Sequence, residues 1–167
     1  MFIDGAQNNV DILKKDDLSL VGSLKTDNNA VFSIAAHGLK LFAGCDKNNL
    51  FVFEIDTLKR VKDIKSTSII YCFHFLDYNT LLCGQRDGYI QIISMNNLNK
   101  IQNFHLERTS HIIQVNKTSR PNEIVLATSK GLFFAEIVDY GEYKVTLSDE
   151  VYLKEQDIKG VVEYKRD

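Results

Sequence analysis

The sequence predicts an all-β protein built from repeated four-stranded antiparallel sheets packed face to face. Three observations point there. The chain repeats with a step of forty residues: Leu41-Phe42-Ala43-Gly44 returns as Leu81-Leu82-Cys83-Gly84, and Leu50 and Val52 return as Ile90 and Ile92. A fixed period of this size marks stacked supersecondary units. Within each unit the apolar residues follow strand spacing and are bounded by turn pairs such as Asp87-Gly88 and Asn96-Asn97, which argues against helical repeats of similar period. The strands are also apolar on both faces. Ile90 and Ile92 point one way, Tyr89 and Ile93 the other, so each sheet must be covered on both sides. Four-stranded antiparallel sheets stacked at this period are the blades of a β-propeller, and the chain holds about four blades' worth of strands.

The elements follow in order. By the forty-residue offset, residues 1–4 match 41–44 and read as a second strand, 9–13 as a third and 18–24 as a fourth. They make a first blade over 1–25 that lacks its first strand. The next blade, 31–64, carries strands at 31–36, 40–44, 50–54 and 59–64. The middle blade, 69–106, is the clearest: 69–76 is β-branched and aromatic, 77–80 is a turn cluster, and 81–84, 89–93 and 100–104 complete the meander. Val21 and Leu24 recur as Val61 and Ile64, then as Ile101 and Phe104, marking the fourth strands. In the last blade, 111–153, strands fall at 112–115, 123–128 and 131–137. Gly88 to Gly131 is 43 residues, and the extra residues fit the turn at 117–122, which holds the chain's single proline, Pro121. The fourth strand lies within 143–153, with a short helix over 148–156 as the alternative. A lone first strand at 158–164 trails. The last strand could complete the first blade and close a four-bladed ring. Alternatively, the chain is part of a larger ring of about seven blades or so, completed by further sequence or by a second copy; this second reading is favoured.

The chain of 167 residues is about one domain's worth, and its apolar (44%) and charged (25%) fractions are those of a globular protein. A net charge of -2 argues against a general polyanion binder. The three cysteines, Cys45, Cys72 and Cys83, fall in or at the end of apolar runs and read as buried thiols in a reducing compartment. Neither a signal peptide nor a membrane span is evident.

The run Leu82-Cys83-Gly84-Gln85-Arg86-Asp87-Gly88-Tyr89-Ile90-Gln91-Ile92-Ile93-Ser94 resembles the second and third strands of a WD repeat. Ile93-Ser94 stand where that family often has Trp-Asp, and Phe53-Glu54 stand there one repeat earlier. The chain contains no tryptophan, and His111 follows a serine rather than the usual glycine, so the family's hydrogen-bonded tetrad does not carry over. The resemblance spans nearly the whole chain as a degenerate pattern. It implies a non-catalytic scaffold for protein–protein interaction, a subunit of a larger complex inside the cell, cytoplasmic or nuclear.

No chemistry competes with that reading. His37, His74, His105 and His111 share no metal-ligand spacing with one another or with the cysteines, and phosphate loops and nucleophile elbows are missing. No enzyme, cofactor or metal is expected. Asp16-Asp17 reads as a solvated turn. In propellers of the WD type, the loops joining strand two to three and strand four to the next strand one share a face. Here the first set contains Lys47, Arg86 and Lys130, and the second Lys25, Lys65 and Arg108. Such a rim suits a protein or peptide partner, acidic or phosphorylated. The rival is a regulatory domain binding nucleic acid or anionic lipid through the same rim; the loops lack the stacking aromatics that nucleic acid favours. Pairing of two copies would cover open blade ends.

Overall fold

The computed structural model describes residues 2–6, 8–107, 109–139 and 143–151, and only the backbone of residues 2–6, 139 and 148–151. Strands β1 (Phe2–Ala6), β2 (Asn9–Leu13) and β3 (Leu20–Lys25) form a three-stranded sheet. Three four-stranded sheets follow. They are β4 (Val31–His37), β5 (Lys40–Cys45), β6 (Asn49–Glu54) and β7 (Lys59–Lys65); β8 (Ile70–Asp77), β9 (Thr80–Gln85), β10 (Tyr89–Ser94) and β11 (Lys100–His105); and β12 (Ile112–Lys117), β13 (Glu123–Thr128), β14 (Gly131–Asp139) and β15 (Tyr143–Val151). Every sheet is an antiparallel meander in sequence order, the all-β architecture that the repeat predicts. The alternative helix at 148–156 is corrected over its described part: residues 148–151 continue β15, where 149–151 pair with β14 and 148 is passed over at a register shift. Ser148-Asp149-Glu150 resembles a helix start, but the ladder to β14 on either side of 148 overrides the local signal. Residues 152–156 and the trailing strand at 158–164 lie outside the described residues.

The chain divides into two compact units, residues 1–70 and 71–167. In the first, Val10, Ile12 and Leu24 pack with Leu41, Ala43, Phe51 and Phe53 in one buried cluster. Each fully buried side chain of this size contributes about 1.5–3 kcal/mol. Gly44 sits where the chain crosses closely. A Cβ there would lie 2.5 Å from Ser33 Oγ and 2.9 Å from Ile70 Cβ, and the Ser33 hydroxyl donates to the Ile70 carbonyl at 2.8 Å. In the second unit, Leu82, Ile90 and Ile92 meet Val115, Ile124, Leu126, Phe133 and Ile137. Gly84, forty residues after Gly44, plays the same part: its Cβ would fall 2.5 Å from Cys72 Sγ and 2.7 Å from Ile112 Cγ2.

The outer corner of the sheets repeats in a way the composition hides. Leu18, Leu58 and Leu98 stand in the turns just before the last strands of the first three sheets, β3, β7 and β11, with φ of +57°, +55° and +56°, the left-handed region that branched side chains avoid. Three residues later each strand carries a bulge. Ile12 pairs with Gly22 but Leu13 with Leu20, Val52 with Lys62 but Phe53 with Arg60, and Ile92 with Gln102 but Ile93 with Lys100. The skipped residues are Val21, Val61 and Ile101, which are 51%, 42% and 43% exposed. The extra residue re-phases the pleat, so Leu24 and Ile64 turn inward and are buried while their apolar partners three positions earlier face solvent.

Candidate interaction rim

In both units, one end of the sheets is built by the two loop classes that carry the basic residues. In the first unit, the β5–β6 turn has φ of +53° at Lys47 and +58° at Asn48, the left-handed pair that matches the twist of a tight hairpin. The β3–β4 connector has the same signature at Asp27 and Asn28 (+53°, +58°) and is closed by Thr26 Oγ1 donating to the Asn29 carbonyl at 2.8 Å and Asn29 Nδ2 donating to the Thr26 carbonyl at 2.6 Å. Backbone bonds tie connector to turn: Asp46 N–H donates to the Ala30 carbonyl at 2.9 Å, and Ser66 N–H, from the β7–β8 connector, to the Asn48 carbonyl at 3.0 Å. Asn48 Nδ2 returns a bond to the Thr67 carbonyl at 3.2 Å. The turn between two connectors is thereby held at both sides.

This arrangement gathers Lys25, Lys47 and Lys65 at one end of the first unit. Lys65 donates to Asn49 Oδ1 at 2.5 Å. Lys25 and Lys47 are exposed, and their ammonium groups have no partner among the described residues. The neighbouring acids are occupied or turned in. Asp27 takes an ion pair of 2.5 Å from Arg60, itself 3.2 Å from Asp63, and the Asp27 carboxylate in turn holds the Arg60 guanidinium above its ordinary pKa. Asp46 is half-buried, with one carboxylate oxygen shielded from water.

The second unit repeats the scheme around the short turn Arg86–Gly88, where Asp87 and Gly88 have φ of +61° and +77°. Leu106 N–H donates to the Gly88 carbonyl at 3.0 Å, and Ser129 N–H to the His111 carbonyl at 3.2 Å. His111 is the organiser that sequence reasoning missed. Its Nδ1 accepts from Asp87 N–H at 3.3 Å, and its ring meets Tyr71 edge-on at 5.8 Å. The hint in the sequence was its likeness to the histidine of the Gly-His pair that opens a WD repeat, which the preceding Ser110 disguised. The structure brings Arg86 and Lys130 to this rim. Arg86 is half engaged with Asp87 at 3.6 Å, whereas the Lys130 ammonium is exposed and has no partner among the described residues. Arg108 lies outside the described residues.

Burial pushes the thiols of Cys45 and Cys72 up to about 12 and that of Cys83 well above its ordinary range, so none is a thiolate near neutral pH. Among the described residues, no three His, Cys, Asp or Glu side chains stand close enough to hold a metal, and no helix is long and apolar enough to cross a membrane.

No protein-family model matches the chain, and neither does any curated protein. Solved structures do. A chain of the mitotic checkpoint complex superposes with a TM-score of 0.78 at 12% identity, over 94% of this chain and 52% of that one. The WD40 β-propeller domain of Doa1 gives 0.71 at 16% identity, over 91% and 50%. The computationally designed Ika8 protein gives 0.65 at 17% identity, over 80% and 42%. The chain has the fold of a WD40 β-propeller, and it spans about half the length of the solved structures it matches.

Proposed function

We propose that this chain is a non-catalytic platform for protein–protein interaction, a subunit of a larger assembly, and that its basic rim takes an acidic or phosphorylated segment of a partner. One observation carries the reading. At the rim end of the first unit Asp27 is paired with Arg60, and at that of the second Asp87 lies beside Arg86, while the ammonium groups of Lys25 and Lys47 in the first and of Lys130 in the second stand exposed without partners among the described residues. These lysines offer local positive charge, with Asp46 and Glu107 in the same two classes of loop, even though the whole chain carries a net -2. Backbone hydrogen bonds fix the loops that carry those lysines before binding, so only the side chains remain to be ordered. The fold supports the platform reading by analogy only, since one fold serves many functions.

The test is capture of phosphorylated and unphosphorylated forms of one acidic peptide by the full chain. Lys25→Glu with Lys47→Glu in the first unit, and Arg86→Glu with Lys130→Glu in the second, should each weaken the phosphorylated form about tenfold or more, as loss of charge-assisted bonds requires. Unchanged capture by both double variants would falsify the assignment.

A further inference from the structure

The residues that break the forty-residue period build a cavity. It has a volume of about 420 Å³ and lies in the second unit, at the end of the sheets opposite the rim, between the end of β8 and the β12–β13 turn, with Ile137 of β14 and Tyr143 of β15 beside them. Its lining mixes the apolar side chains of Leu76, Ile124 and Ile137 with Lys117, Arg120 and Tyr143. The inserted turn is held rigid. Thr118 N–H donates to the Glu123 carbonyl at 3.1 Å, Ile137 N–H to the Asn122 carbonyl at 2.7 Å, and Asn122 takes φ of +59° after Pro121. A volume of this size falls among small-ligand sites, which run to roughly 300–1,000 Å³.

The lining carries two acids and two bases. Glu123, only 13% exposed, takes Thr118 Oγ1 at 2.6 Å and Arg120 at 3.2 Å, and Asp77 takes Asn79 N–H at 2.7 Å on one oxygen and keeps acceptor capacity on the other. Arg120, 76% exposed, uses one nitrogen of its guanidinium for Glu123, and Lys117 uses one N–H for the Leu76 carbonyl. Each base keeps further donors, and both line the same cavity as Leu76, Ile124 and Ile137. A complementary ligand brings an acceptor pair to the bases and an apolar group to the aliphatic side chains.

We propose that this cavity binds a carboxylate joined directly to an apolar group: the free C-terminus of a peptide ending in an aliphatic residue, or a short free carboxylic acid. The carboxylate sits against Lys117 and Arg120 and the aliphatic group fills the space over Leu76, Ile124 and Ile137. The site is independent of the rim.

Amide NMR spectra of the full chain, titrated with N-acetylleucine, N-acetylleucinamide and hexanoate, test it. At least one of the two acids should shift residues 118–124 saturably, and the amide should bind about tenfold more weakly or worse, a charge-assisted pair being lost. Tighter binding of N-acetylleucine assigns the site to a peptide terminus, and tighter binding of hexanoate to a free acid; either supports the shared chemistry. Arg120→Gln should weaken the acid about fivefold or more, and Lys117→Met likewise. If Lys117→Met fails to fold, the exposed Arg120→Gln carries the test. Lys47→Glu should leave binding unchanged, which separates this site from the rim. An amide that binds as well as its acid, acids that leave residues 118–124 unmoved, or an Arg120→Gln variant with unaltered affinity would each overturn the assignment.

Discussion

Gly44 and Gly84 show what a single position does in this chain. Each lets another segment pass so close that a methyl group would overlap it. At Gly44 the obstruction includes the Ile70 carbonyl, 3.0 Å from the added carbon, and backbone cannot swing aside as a side-chain end can. Gly44→Ala and Gly84→Ala should each cost about 1–3 kcal/mol, read as a lowered urea midpoint with unchanged m-value. A midpoint within error of the parent for both would show that the sheets slide apart without cost. The buried thiols make a second residue-level prediction. Their folded pKa values are raised from 9.0, so above pH 9 the unfolded chain loses protons first. Stability present below that pH falls as pH rises toward 12, by up to about 1.4 kcal/mol per pH unit per thiol. Cys72→Ala should reduce the slope between pH 9 and 10.5; an equal slope would assign the loss to other groups. His74 works on the acid side. Burial, helped by Lys117, lowers its pKa below 6.5. The stability it lends above pH 6.5 is lost as pH falls toward the folded value.

At the scale of the element, the corner of left-handed leucine followed by a bulge sets the path of three outer strands. Leucine in this region costs about 1–2 kcal/mol over a residue that accepts it. Leu18 is 60% exposed and offers little packing in return, so Leu18→Gly should raise stability by about 0.5–1 kcal/mol in thermal or urea unfolding. Leu58 behaves differently because it packs on the first unit's core and occupies the space over Gly22. Leu58→Ala should lower stability by about 1–2 kcal/mol, less than a fully buried leucine costs. A Leu18→Gly variant that unfolds earlier than the parent would refute the strain account. These corners also show where reading the sequence stops. Strand positions were legible because apolar residues recur at fixed offsets, and the inserted turn because Pro121 breaks the count. The left-handed leucines were present at the same offset, but leucine is no signal for that conformation. The bulge was invisible for a related reason: Val21 and Leu24 look alike in sequence, and only the ladder register puts one out and the other in. For the rim, the shared loop ends were legible from topology, while the hydrogen bonds through His111 and the pairing of Asp27 with Arg60 depend on tertiary approach.

For the molecule as a whole, the proposed capture of an acidic peptide by a chain of net charge -2 makes a prediction about salt. A short acidic peptide neutralised by a few lysines should lose affinity only modestly between 50 and 200 mM salt. A polyanion contacting many phosphates loses about 10³–10⁵ over that range. Measuring the slope with the full chain therefore separates a peptide platform from a nucleic-acid or lipid binder. The exposed rim substitutions should shift unfolding stability by no more than about 0.5 kcal/mol, so lost capture would report binding and not unfolding.

The meander order of every sheet has a consequence for how the protein is made. Each strand's in-sheet neighbours are its neighbours in sequence, so no described strand waits for a partner still to be translated. A ribosome adding about 5–20 residues per second delivers a repeat every few seconds, whereas a hairpin closes in about 1–10 μs. Hydrogen bonding within a newly emerged sheet is therefore complete long before the next sheet exists. Within each unit, its apolar face is not covered until the sheet that packs on it arrives. During synthesis the exposed species is a finished sheet with one bare side, and the interval before its neighbour emerges is when a chaperone has most to protect.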